Sequence, residues 1–342
     1  MSLLERQAIR IKALDCYVPE RIVSNEELSR RVDTSDEWIL SHTGIRQRHI
    51  ATDKQASSDL GIEAARKALQ RAGLQGADID LVIVSSSAPD YYGFPSTACV
   101  VQEQLGCEKA AAFDITAACS GFVYGLQIGK SMLLGDSYYR NALIVAAEKL
   151  SAVTNWEDRS TAVLLGDGAG AVVLARGAEG GEILDSVLRA DGSGAKALMI
   201  PEGGSRNPPE PVRENQGTVR NKLEMDGRAV YNFAVRANQE VLSALLQRNG
   251  LSVGDISYIV PHQANERIIR AVAKREDIPM ERFYLNIGSY ANTSSASIPI
   301  ALTEMQEKNL LKNGDIILTV GFGSGLTYGG NLIRWQNDSA RL

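Results

Sequence analysis

Hydrophobic and polar positions along the chain follow two alternating periods. Apolar runs of strand length stand near Ile9–Cys16, Leu81–Ser85, Ala111–Ile115, Ala142–Ala147 and Gly170–Ala175. A second series follows near Glu182–Leu188, Tyr258–Pro261, Phe283–Ile287, Asp315–Val320 and Gly329–Trp335. Between the middle members, apolar residues fall at the three-to-four spacing of amphipathic helices, as at Asp59–Ala72 and Ala229–Arg248. Strands alternating with helices of this length predict an α/β protein whose mixed, mostly parallel sheets are covered by helices.

The element order runs twice, and letters repeat with it. Residues 69–84, "LQRAGLQGADIDLVIV", lie over residues 246–261, "LQRNGLSVGDISYIVP", without a gap. Asp78 then stands against Asp255, an offset of 177 positions, with Leu, Gln, Arg, Gly, Leu, Asp and Ile identical in register. Two unrelated helix–strand units of similar composition could share some letters. The repeated order of the surrounding elements instead argues for a duplicated unit, with a joint near 178–181 and halves of 1–178 and 179–342. The segment 203–217, "GGSRNPPEPVRENQG", reads as a long surface loop, either a cover over a site or a simple insertion.

Composition narrows the function classes. At 342 residues the chain exceeds what one hydrophobic core usually serves, in keeping with two halves. A net charge of −5 argues against general nucleic-acid binding, while leaving room for a local basic patch toward an acidic partner. No stretch approaches the ~20 apolar residues of a membrane span, and "MSLLERQAIRIKALDC" has no signal-peptide core. The four cysteines have no CxxC spacing and the three histidines no HExxH. The expectation is a reduced, cytoplasmic protein without a zinc site or other metal.

Chemistry enters at "DITAACSGF", where Cys119 stands between a short apolar strand and a mostly buried helix. A thiol at a helix N-terminus faces unpaired N–H groups and the positive end of the macrodipole, and both favour the nucleophilic thiolate. Free cysteine is also among the most buried residue types, so on this stretch a core thiol is as good a reading. His262 tips the balance. It ends a strand of the second unit in "YIVPHQANERII", and "LNIGSYANTSSAS" follows the next strand where "FDITAACSG" does in the first unit. Functional groups of α/β sheets gather beyond the carboxyl ends of strands. Two halves packed about a pseudo-twofold would therefore bring Asn292 opposite Cys119, with His262 beside both. The glycine-rich "VGFGSGLTYGG" precedes a strand, so it is a poor phosphate loop, but its N–H groups could complete an oxyanion hole. Asp167, in a tight turn between strands, reads as structural.

Taken together, "VDTSDEWILSHTGIRQRHI", "FPSTACVVQ", "FDITAACSGF", "LLGDGAGAVVL", "VPHQANERII" and "YANTSSASIP" resemble β-ketoacyl-acyl-carrier-protein synthase III from about Ile11 to Trp335. The resemblance implies a thiolase-like fold of two similar α/β halves in five αβαβα layers, and a homodimer. It implies that Cys119 takes an acyl group from a short acyl-coenzyme A as a thioester, which then condenses with malonyl-acyl-carrier protein as carbon dioxide leaves. No cofactor is implied; both thioesters are substrates. His262 and Asn292 match the pair that hydrogen-bonds the malonyl thioester carbonyl. The N–H groups of Cys119 and Ser324 match the oxyanion hole, with serine where glycine is more familiar and its side chain nearly irrelevant.

For coenzyme A, Trp38 and Arg159 match an adenine clamp, with Thr34 on the same surface. His42 departs from the arginine common at its place, which puts one nucleotide contact in question. Arg267, Lys274 and Arg275 match the patch that docks the acidic carrier. Phe94 matches a residue bounding the partner's acyl pocket, and Leu165 would line that pocket. The Cys-His-Asn set is unlike the Cys-His-His set of elongating synthases, and "GFGSG" lacks the second cysteine of degradative thiolases. The expected function is initiation of fatty-acid synthesis. The alternatives are a specialised acyltransferase of secondary metabolism and a non-catalytic carrier-binding relative.

Overall fold

The computed structural model describes residues 8–177, 180–208 and 221–336. Nine strands form its main sheet: β1 (Ile9–Tyr17), β2 (Leu81–Ser85), β3 (Ala111–Ile115), β4 (Asn141–Glu148), β5 (Gly168–Arg176), β6 (Gly181–Ala190), β7 (Tyr258–Pro261), β8 (Ile316–Gly323) and β9 (Thr327–Arg334). The spatial order is β7-β8-β9-β6-β1-β5-β4-β2-β3. Read outward from the centre, β1-β5-β4-β2-β3 on one side matches β6-β9-β8-β7 on the other. Each side starts with two antiparallel pairings and continues in parallel. The halves join where β1 and β6 pair antiparallel through Arg10–Glu182 and Ile11–Gly181.

The duplication explains the repeated letters. Beyond α1 (Asp36–Thr43), helix α2 (Ser57–Ala72) ends on Gly73 at φ 66°, and α5 (Gly227–Asn249) ends on Gly250 at φ 64°. These are the left-handed caps that glycine accepts without a Cβ penalty. One turn later Asp78 accepts from the Gln75 N–H and Asp255 from the Ser252 N–H, both at 2.8 Å. The identical glycines and aspartates are thus the stop and restart signals that aim each helix into the strand after it.

Helices α4 (Gly121–Gly135) and α7 (Ser297–Glu307) touch strands of both halves and form the middle layer. Helices α2 and α3 (Thr97–Gln104) cover one outer face, and α5 and α6 (Glu266–Arg275) the other. Strand side chains alternate between the layers. In β4, Ile144 and Ala146 face the middle helices, whereas Leu143 and Val145 join the core under α2. Both faces are apolar, hence the unbroken run in the sequence.

Two expectations are corrected. Antiparallel pairings outnumber parallel ones in the main sheet, because β1 pairs antiparallel with both β5 and β6, and β8–β9 is a short connection that only antiparallel neighbours can use. The strand expected at Phe283–Ile287 reduces to one parallel bridge, Ile259 to Phe283, and Ile287–Tyr290 is a helical turn. Its polar Asn286 and Gly288 interrupt the apolar run. Of the loop 203–217, residues 203–207 are bends and residues 209–217 lie outside the described residues, as do 178 and 179 of the joint at 178–181. Among the described residues, no helix is long and apolar enough to cross a membrane.

Candidate active site

Cys119 lies in a single 3-10 turn, Ala118–Ser120, between β3 and α4. Its N–H is one of the first-turn donors that a helix leaves unpaired. Ser324 opens the 3-10 turn Ser324–Leu326 after β8 and presents the same kind of donor. The two backbones touch: a Cβ on Gly323 would stand 2.5 Å from the Cys119 nitrogen. Glycine at 323 is therefore a condition of the site's geometry. The Ser324 hydroxyl is not idle, since it donates to the Leu198 carbonyl and fastens the cavity wall at Leu198–Met199.

His262 follows β7 and is 1% exposed. Its N–H donates to the Val320 carbonyl at 2.7 Å, its Nδ1 lies 2.7 Å from Ser297 Oγ, and its ring meets Phe322 edge-on at 5.2 Å. Burial lowers its pKa to about 3, so the imidazole is neutral. Asn292 is held from the other half: its N–H donates to the Leu164 carbonyl, its carbonyl accepts from Gly166, and it bridges to Leu165. Its Oδ1 accepts from the Ser294 N–H at 2.9 Å, which leaves the Nδ2 donors for a ligand.

The thiol differs from the expectation. Ser294 Oγ donates to Cys119 Sγ at 3.2 Å, yet burial, reinforced by Glu148, pushes the thiol up to about 12. The short N-terminal turn does not offset removal from water, so the resting group is a thiol, not the thiolate expected from the helix end. Backbone strain concentrates here as well. Among the described residues, apart from asparagine and aspartate, the non-glycine residues at positive φ are Ala118 (44°), Ala291 (58°) and Ser294 (49°). They adjoin Cys119 and Asn292 or touch the thiol, and strain of this kind gathers where geometry is over-determined.

Cys119, His262 and Asn292 line one cavity of about 1110 Å³, together with Leu165 and Ser324. Trp38, Phe94 and Arg267 line it further out. The Arg159 guanidinium lies 4.7 Å over the half-buried Trp38 ring, and Arg159 also donates to the Asp33 carbonyl. His42 stacks on Trp38 at 4.2 Å and 11°. The departure from arginine thus puts a second flat group against the indole. Thr34 buries its hydroxyl oxygen without a hydrogen-bond partner. Lys274 and Arg275 are exposed in the last turn of α6, about two turns past Arg267 and outside the cavity lining. Phe94 is 91% exposed. Asp167 accepts from Ala51 and Ser151 and ties loops together. Among the described residues, no cluster of three His, Cys, Asp or Glu could hold a metal ion.

Four polar residues at the site carry no expectation from the sequence: Ser87, Glu148, Ser294 and Ser297. Glu148 is the most conspicuous. It closes the apolar run of β4, is fully buried, and has its carboxyl raised to about 7 by burial against hydrogen bonds from Ser295, Ser87 and Ser294. A lone carboxylate at the end of a strand buried on both faces was the available signal.

Comparisons with known proteins agree with this arrangement. The family described as 3-oxoacyl-[acyl-carrier-protein] synthase III matches residues 113–192, and its C-terminal counterpart matches residues 246–335. A β-ketoacyl-[acyl-carrier-protein] synthase III of Caldanaerobacter subterraneus is 48% identical over 98% of this chain and 100% of its own. The crystal structure of the Aquifex aeolicus 3-oxoacyl-[acyl-carrier-protein] synthase III superposes with a TM-score of 0.87 at 41% identity, covering 96% of this chain and 100% of that one. The priming β-ketosynthase of the R1128 polyketide pathway gives 0.88 at 34% identity, covering 99% of both. With two matched halves around one Cys-His-Asn cavity, the chain belongs to the β-ketoacyl-acyl-carrier-protein synthase III family.

Proposed function

We propose that the chain condenses a short acyl-coenzyme A with malonyl-acyl-carrier protein, releasing carbon dioxide and starting a fatty-acid chain. The observation that carries this reading is the convergence of Cys119, His262 and Asn292 on one cavity from three separate segments, the first two at strand ends and the third after a helical turn. Cys119 Sγ attacks the acyl thioester, and the Cys119 and Ser324 N–H groups receive the oxyanion. In the second half-reaction, decarboxylation of the malonyl group places negative charge on its thioester oxygen. Asn292 Nδ2 and His262 Nε2 donate to that oxygen, which preorganised donors stabilise by several kcal/mol. A neutral His262 suits this role, provided the Ser297 hydroxyl donates to Nδ1 and leaves the ring proton on Nε2. No oxidation state changes, so the chemistry calls for no redox cofactor.

Coenzyme A enters over Trp38 and Arg159, with Thr34 beside them; the guanidinium–indole pair offers flat faces for a base. The acidic carrier docks on α6, where Arg267 stands at the cavity mouth and Lys274 and Arg275 extend the positive surface. A second copy of the chain covers Phe94, which projects beside the exposed Tyr91 and Tyr92. Four unpaired cysteines fit a reducing cytoplasm. The likeness to a polyketide priming synthase concerns the same priming step and leaves the fatty-acid reading in front. The test is intact-protein mass spectrometry with short acyl-coenzyme A thioesters. The wild type gains one acyl group, and Cys119→Ala gains none; acylation of that variant at the same rate would remove Cys119 from the mechanism.

A further inference from the structure

The half-buried thiol raises a question that its helix end does not answer: where its proton goes. His262 is neutral, and its Nδ1 is engaged with Ser297. A continuous line of hydroxyl groups leads elsewhere. Cys119 Sγ lies 3.2 Å from Ser294 Oγ, Ser294 Oγ lies 3.0 Å from Ser87 Oγ, and Ser87 Oγ lies 3.3 Å from Glu148 Oε1. The carboxylate is fixed by the Ser87 N–H at 2.8 Å and by the Ser295 hydroxyl at 2.6 Å and N–H at 3.3 Å.

We propose that Glu148 receives the Cys119 proton through Ser294 and Ser87. Glu148 touches neither the sulfur nor a substrate, so it is a positioning residue that acts through the two serines. The inference rests on Cys119 being the acyl-accepting nucleophile, as argued above.

At rest the Ser294 hydroxyl donates to the sulfur and Ser87 donates to Glu148. For transfer the Ser294 hydroxyl turns toward Ser87 Oγ, so that the thiol donates to Ser294 and each hydroxyl donates toward Glu148. As sulfur bonds to the acyl carbon, its S–H bond breaks. Ser294 accepts that proton and passes its own to Ser87, which passes its own to Glu148. The carboxylate becomes a carboxylic acid, while the leaving coenzyme A thiolate takes a proton from solvent. When condensation frees the Cys119 thiolate, the same line returns the stored proton. One proton is consumed per turnover and nothing is oxidised.

Burial that holds a carboxylic acid near neutrality makes it an acceptor matched to physiological pH. Among titratable neighbours, Cys119 is the one coupled to Glu148 through its charge. The others are engaged elsewhere: Lys149 Nζ donates to the Thr52 and Gln55 carbonyls, Asp167 binds Ser151 and Ala51, and Asp114 binds the Thr97 and Ala98 N–H groups. A purely structural reading has Glu148 only clamping the loops at Ser87 and Ser295.

Peptide-resolved mass spectrometry of Cys119 alkylation by iodoacetamide, from pH 5 to 10, separates the two. The wild type is expected to show a rise in rate near pH 7. Glu148→Gln should lose that rise and slow at least ~100-fold at pH 7.5, the lower end of the usual range for a proton acceptor. Its kcat for acylation should fall with KM for acyl-coenzyme A unchanged, and Glu148→Asp should restore part of the rate. Ser87→Ala, which keeps the carboxylate and both Ser295 bonds, should also lose the rise; it serves if the glutamine variant fails to fold. A Ser87→Ala or Glu148→Gln protein with the wild-type profile would overturn the relay while leaving Cys119 acylation standing. Absence of acylation in the wild type would instead remove the functional reading beneath it.

Discussion

Replacing Gly323 with alanine isolates the contact between the two halves of the oxyanion hole. Gly323 has φ −164° and ψ −169°, extended backbone that any residue adopts, so the cost lies in space alone. The new methyl would stand 2.5 Å from the Cys119 nitrogen, 3.1 Å from Ala118 Cβ and 3.2 Å from Cys119 Cα. That is about 1 Å short of an unstrained contact near 3.5 Å. Two of the three neighbours are backbone atoms, so no side chain can swing aside. Either β8 or the Cys119 turn must move by that distance. Overpacking of this kind costs about 1–3 kcal/mol of stability. Displacing a preorganised group by about 1 Å costs on the order of 100-fold in rate. Thermal unfolding followed by circular dichroism, and the rate of Cys119 acylation on rapid mixing with acyl-coenzyme A, measure the two effects. Gly135→Ala, where a methyl meets nothing within 4 Å, is the control. An alanine variant at 323 that acylates at the wild-type rate would refute the assigned contact.

Other expectations concern the second half-reaction and pH. Asn292→Ala should spare acyl-enzyme formation and slow malonyl decarboxylation by about 100- to 1000-fold, the usual cost of one lost oxyanion donor, as read by single-turnover carbon dioxide release. Equal loss in both half-reactions would mean its role is misassigned. Ser297→Ala removes the partner of His262 Nδ1 and should likewise slow decarboxylation more than acylation; an unchanged ratio of the two rates would contradict the tautomer argument. Glu148 is raised from an ordinary 4.5 to about 7, so its contribution to stability is complete below pH 4.5 and is lost as pH rises through 7. Denaturant unfolding should therefore find Glu148→Gln more stable than wild type at pH 8, by up to about 3 kcal/mol, and the difference should vanish near pH 4. A gap that persists at low pH would place the effect in packing.

Much of this was legible in the letters because it follows from local rules. Gly73 and Gly250 announced their helix ends, the paired Asp78 and Asp255 announced the turns, and two-faced burial made β2 and β4 unbroken apolar runs. Cys119 and His262 stand at strand ends as the pattern indicated, while Asn292 reaches the same cavity from a helical turn. What stayed hidden depends on distances between remote segments. Burial, not the helix end, governs the Cys119 thiol, and burial is a property of the packed halves. Ser87 and Ser294 are 207 positions apart, and each alone looks like an ordinary loop serine. The Phe283 strand failed because one bridge needs only one residue, which no periodicity can mark. The stacking of His42 on Trp38 likewise needed a helical turn in space, since His42 alone read only as a missing arginine.

The central claim, that a Cys119 thioester is consumed by decarboxylative condensation, is tested most directly by rapid-quench mass spectrometry in two stages. The enzyme is first loaded with a short acyl-coenzyme A and freed of excess, then mixed with malonyl-acyl-carrier protein. The account predicts that the acyl mass on Cys119 disappears as β-ketoacyl-carrier and carbon dioxide appear, one of each per acyl group lost. An acyl-enzyme that survives the carrier, or that discharges only to the free acid, would contradict it.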